Sequence, residues 1–114
     1  MTYNHLVSVP YTEMKCWDLV AEVLGMYKFK TQTPREQVKL RNILKQQFKE
    51  IDPKDIQIHD VVLHGTHVGI VIPGGILHAR DPYSEFVPTN LEDLHKGIQA
   101  GDNYTKPTFH RRVK

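Results

Sequence analysis

The chain has a single cysteine, Cys16, in 114 residues. An internal disulfide is therefore excluded, and so is any zinc or iron–sulfur site built mainly from thiolates. Two roles remain for Cys16: burial as a small apolar residue, the commoner fate of a free cysteine, or reaction as a thiol. Long apolar runs are missing as well. None approaches the roughly 18 residues that a membrane-spanning helix requires. The opening Met1-Thr-Tyr-Asn-His-Leu-Val-Ser-Val-Pro10 lacks the basic-then-apolar order of a secretory signal, so neither membrane insertion nor export by a leader is expected. An excess of one charge is also absent: 15 Lys and Arg stand against 13 Asp and Glu. Only Lys106, Arg111, Arg112 and Lys114 gather near one end, so a nucleic-acid partner is not implied.

What is present is the patterning of one compact domain spanning residues 1–114. Apolar side chains at Cys16, Leu19, Val20, Val23, Leu24 and Tyr27 recur at i, i+3, i+4 and i+7, the stripe of a helix with one buried face, and Gly25 lies near its end. Pro10 and Tyr11 precede it without any such stripe, which places Cys16 in or just before the first helical turn. A second helix is signalled by Thr33, Pro34 and Glu36 as a capping box, with Val38, Leu40, Ile43, Leu44, Phe48 and Ile51 on one side, ending before Pro53. From Asp60 the pattern becomes strand-like: Asp60-Val-Val-Leu-His64, His67-Val-Gly-Ile-Val-Ile72, a turn at Pro73-Gly-Gly75, then Ile76-Leu-His-Ala79. A short helix is expected from Asn90 and a final strand within 104–113. Helices first and strands second give an α+β arrangement, with the N-terminal helices packed on a small antiparallel β-sheet.

The chemistry suggested by this layout is nucleophilic. A thiol attacks as the thiolate, and a helix N-terminus favours that form through its partial positive charge and unpaired N–H groups, which also suit an oxyanion. A base must then reach the sulfur, held in place by a further polar group. Of seven histidines, His67 opens an apolar strand and His78 lies on its expected hairpin partner. If the loop between them holds an even number of residues, paired positions sum to an odd value, and 67 and 78 share a face. Half-exposed spacers are the plain alternative for both. A metal site from His64 and His67 with His59 or His78 is a further alternative, disfavoured because residues three apart on a strand point to opposite faces.

Taken together, Val9-Pro10-Tyr11, Lys15-Cys16-Trp17-Asp18-Leu19-Val20, His67-Val-Gly-Ile-Val-Ile72 and Ile76-Leu-His78-Ala79 resemble the NlpC family of papain-like cysteine peptidases, especially its short phage tail versions. Ile56-Gln-Ile-His-Asp60-Val-Val is similar to the Gly-Asp-hydrophobic strand ahead of the base, and Phe109-His-Arg-Arg112 to the closing strand. The resemblance implies a papain-like fold with Cys16 as nucleophile, His67 as base, His78 as the residue orienting it, and Tyr11 contributing to the oxyanion site. It implies no cofactor and no metal. The implied reaction is hydrolysis of amide bonds in bacterial peptidoglycan peptides, and the implied partners are other phage tail proteins. The setting would be the virion tail or the host cytoplasm. Lys15 stands where the family usually has Asp, Asp18 and His59 where it has Gly, and the loop from Tyr11 to Cys16 is short. Lys15 favours a thiolate and Asp18 disfavours it. A tail-assembly protein that keeps the fold with weak or lost catalysis is the alternative.

Overall fold

The computed structural model describes residues 3–10, 13, 15–26, 34–64, 67–79, 83–96 and 107–113, with the side chains at 34, 36, 37, 64 and 67 outside that description. Among the described residues three helices, α1 (Cys16–Leu24), α2 (Pro34–Gln47) and α3 (Leu91–His95), accompany six strands: β1 (Phe48–Ile51), β2 (Val61–His64), β3 (His67–Ile72), β4 (Gly75–His78), β5 (Glu85–Pro88) and β6 (Thr108–Arg112). Single 3-10 turns lie at Asn4–Leu6 and Pro53–Asp55. The strands form one antiparallel sheet in the order β1-β6-β2-β3-β4-β5, and the α+β class read from the sequence holds.

Helix α1 ends where Gly25 takes the left-handed conformation, φ 68°, and its N–H bonds the carbonyl of Ala21. Glycine adopts this turn without the Cβ penalty of other residues. Six of the nine side chains of α1 are buried: Cys16, Trp17, Leu19, Val20, Ala21 and Val23. Helix α2 is four residues shorter than its apolar stripe suggests, because Phe48–Ile51 leaves the helix to become β1. The reason is tertiary: Phe48 pairs with Arg112 and Ile51 with Phe109 on β6, and the Phe48 ring packs edge-on to Trp17 with centroids 6.5 Å apart. Ladder bonds and this contact outweigh a modest local helix preference. The capping box expected at Thr33, Pro34 and Glu36 lies outside the described residues and side chains. At α3 the expected start is observed, with the Asn90 side chain accepting from the Asp93 N–H at 2.7 Å.

Alternation along the strands divides the apolar residues into two clusters. Val61, Val68, Ile70, Ile72, Leu77 and Ala79 pack with α1 and Phe48, with Leu40, Ile43 and Leu44 of α2 against them. Val62, Val71 and Phe109 pack on the other side with Ile56 and Leu94. The sheet is thus covered on both faces. Burial at roughly 25 cal/mol per Å2 of apolar surface is what holds such layers together. One ion pair is sunk into the rim: Asp60, 2% exposed, accepts from Arg111 Nε at 3.0 Å and Nη2 at 2.9 Å, and from the Gln57 N–H at 2.7 Å.

Candidate functional site

Cys16 is the first residue of α1, as its position ahead of the apolar stripe suggests. It is 6% exposed and belongs to the α1-side cluster. The preceding residue, Lys15, is extended, φ −83° and ψ 172°, and its N–H donates to the Asp18 carboxylate at 3.3 Å. Asp18 at the third helical position therefore caps the helix start, a role that Gly could not fill. Its charge also sits favourably at the positive end of the helix dipole.

Two anchors set the direction of α1. Ahead of it, the Ser8 N–H bonds the Ser84 carbonyl at 3.0 Å and the Ser84 N–H bonds the Val9 carbonyl at 2.9 Å, with Pro10 bridged to Tyr83. At its far end, Arg112 Nη1 donates to the Leu24 carbonyl at 3.0 Å. Ser84 adjoins the end of the sheet where His78 pairs with Glu85, and Arg112 lies at the end where Ile72 pairs with Gly75. Helix α1 accordingly runs from the end where β3 begins toward the end where it finishes. Cys16 and the start of β3 are at the same end of the sheet.

The hairpin parity is as expected. Ile72 pairs with Gly75 across the two-residue loop Pro73-Gly74, and Gly69 pairs with His78. Gly74 has φ 90°, the conformation that a type II turn requires after proline. Position 67 is two residues before Gly69, so it shares a sheet face with His78 and is offset from it diagonally. In the preceding hairpin His64 pairs with His67. The same alternation places positions 67 and 78 on the face of Val71 and Ile76, opposite to Val68, Leu77 and Cys16. Any meeting of the thiol with position 67 is made around the end of the strand and not across the sheet. The His67 side chain and all of Tyr11 lie outside the described residues.

His78 is described in full. Its Nε2 is 3.4 Å from Glu85 Oε1, with side-chain exposures of 20% and 43%. Glu85 has no counterpart among the expected elements, because the sequence signals no strand between Ala79 and the helix at Asn90. The only available signal was a further run, Glu85-Phe-Val-Pro88, too short and too proline-marked to stand out.

Comparison with protein-family models, curated proteins and solved structures gave no match.

The other arrangements are less suited to catalysis. Among the described residues no group of three or more His, Cys, Asp or Glu is placed to hold a metal, and His59 Nε2 faces the Tyr3 hydroxyl at 2.6 Å. His59 is left-handed, φ 73°, a conformation that glycine takes more readily. A cavity of about 520 Å3 opens elsewhere, lined by Lys49, Lys54, Asp55, His95 and Arg111 among others, and none of Cys16, His78 and Glu85 lines it. No helix of the described residues is long and apolar enough to cross a membrane.

Proposed function

We propose that the protein is a papain-like cysteine hydrolase of the NlpC type that cleaves amide bonds in bacterial peptidoglycan peptides as part of a phage tail. The observation that carries this reading is the position of Cys16 at the first residue of a helix packed on a sheet, at the end where β3 begins with His67. Two further features favour it. Positions 67 and 78 share a sheet face through the β3–β4 register. His59, standing where the resembling family has Gly, is left-handed, the backbone state that explains a glycine there.

In the proposed reaction the Cys16 thiolate attacks the carbonyl carbon of the amide. N–H groups of the first turn of α1 hold the tetrahedral oxyanion. His67, carrying the proton taken from the thiol, gives it to the leaving amine as the C–N bond breaks. His67 then takes a proton from water as it attacks the thioester and gives that proton to the departing Cys16 sulfur, so that the acid and the free thiol are released. His78 orients His67 throughout, and Tyr11 adds to the oxyanion site.

A second reading is favoured by the burial of Cys16 and by the like-charged carboxylate that Asp18 brings into its helix turn: a tail-assembly protein that retains the fold without appreciable catalysis. Digestion of purified peptidoglycan separates the two. Wild type is expected to release new amine termini, and Cys16→Ala to reduce that release by at least about 1000-fold, the scale of removing a covalent nucleophile. Equal release by both proteins would sink the hydrolase reading. Alkylation of Cys16 at pH 6–7 no faster than that of a free thiol would favour the assembly protein.

A further inference from the structure

We infer that Glu85 is a positioning residue of the proposed hydrolase, acting by fixing the tautomer of His78. This inference rests on the hydrolase reading and deepens it. His78 and Glu85 are direct cross-strand partners on β4 and β5, so their side chains leave the same face of the sheet with closely spaced Cβ atoms. The contact joins Nε2 of the ring to Oε1 of the carboxylate, at 3.4 Å. A carboxylate accepts and cannot donate, so Nε2 must carry the hydrogen. In the neutral ring the other nitrogen, Nδ1, is then an acceptor.

That polarity is what an orienting residue needs. A base that takes a proton on one ring nitrogen has an N–H on the other, and its holder must accept that hydrogen bond. A histidine without a fixed partner divides between two tautomers, and only one of them offers an acceptor at Nδ1. Glu85 selects that one. The pairing also explains why a histidine, which can either donate or accept, would serve where an amide or carboxylate would serve more simply. The strand pair supplies the rigidity: Leu77 and Ala79, the neighbours of His78, are fully buried, so the backbone carrying the ring is fixed by core packing.

The experiment combines a spectroscopic readout of the ring with turnover of muropeptides, on the full chain. Long-range 1H–15N spectra of wild type are expected to show His78 as the Nε2–H tautomer, and Glu85→Leu to show a larger share of the Nδ1–H form. Glu85→Leu is expected to lower kcat about tenfold with KM within about twofold, the scale of disturbing a partner that orients a functional histidine. Glu85→Gln retains an acceptor oxygen and is expected to restore both the tautomer and most of kcat. Unchanged melting temperatures would show that each variant folds. An Nδ1–H tautomer in wild type overturns the inference, as does an active enzyme whose kcat and tautomer are unmoved by Glu85→Leu. Wild type inactive on every muropeptide, yet holding the Nε2–H tautomer through Glu85, would sink the hydrolase reading and leave the His78–Glu85 assignment standing.

Discussion

At the scale of single residues, the most consequential polar group away from the candidate site is Asp60. It is almost completely buried, and its two oxygens are satisfied by Arg111 and by the Gln57 N–H. Arg111 also donates to the Asp55 carbonyl at 2.6 Å, and the hydrogen bond to Asp60, with the charges of Asp60 and Asp55, raises its pKa above the ordinary arginine value. A buried ion pair contributes little when compared with an apolar pair, but removing one partner strands the other. Arg111→Met is therefore expected to destabilise the fold by about 3 kcal/mol. Differential scanning calorimetry would read this as a fall in Tm on the order of 10 °C. A change within a degree would show that Asp60 finds water or another donor. Asp60 and Arg111 were each visible in the sequence, in the segments ahead of the candidate base and in the closing strand. Their pairing was not, since it depends on β6 lying beside β2.

At the scale of elements, β6 carries a titration that its neighbours control. His110 pairs with Glu50 on β1 and with Val61 on β2, and its Nε2 is 2.8 Å from the Thr108 hydroxyl. Burial lowers its pKa below the ordinary 6.5, partly offset by Glu50. The unfolded chain therefore binds the proton more readily than the folded one. The stability contributed by keeping His110 neutral is present above pH 6.5 and is lost as pH falls through the folded value. His110→Gln is expected to flatten the fall of Tm between pH 7 and pH 5. A fall as steep as that of wild type would assign the acid sensitivity to other groups. The elements that periodicity revealed were those whose local pattern and tertiary role agree: α1 with its Gly25 stop, and the β2–β3–β4 run with its Pro73-Gly74 turn. Phe48 and Ile51 misled because they continue the stripe of Leu40 and Leu44, and only their pairing with β6 turns them into a strand. Strand β5, and with it the Glu85 partner of His78, stayed hidden because its four residues alternate weakly and end in proline. Of the site itself, Cys16 at a helix start and the shared face of positions 67 and 78 were legible. The opposition of that face to Cys16 was not, because it depends on which side of the sheet α1 covers.

At the scale of the whole molecule, the segment before α1 is latched at Ser84 by the serine hydroxyl in addition to the backbone bonds of Ser8 and Val9. Ser84, 3% exposed, accepts from the Val9 N–H at 2.8 Å and donates to the Leu6 carbonyl at 2.6 Å. Ser84→Ala removes both bonds and leaves the two backbone groups to find other partners. The expected cost is about 2 kcal/mol. Amide exchange is expected to quicken at Val9, whose N–H loses its acceptor, more than in β2 or β3, whose ladders are untouched. Uniform quickening across the sheet would mean that the latch is part of the global fold and not a local tie. Because the same segment leads into α1, loosening it also tests how firmly Cys16 is held at its end of the sheet.

The strand order has a kinetic consequence. Strand β6 sits between β1 and β2, although it follows both by many residues in the chain. Until it arrives, β1 has no ladder partner and β2 presents a bare edge on that side. Contacts of such wide sequence separation close slowly, on a timescale of about milliseconds to seconds for small domains rich in them. The β2–β3–β4–β5 meander is made of successive neighbours and is expected to close before β6 docks. In that interval the edge of β2 that β6 will cover is open to mispairing with another copy.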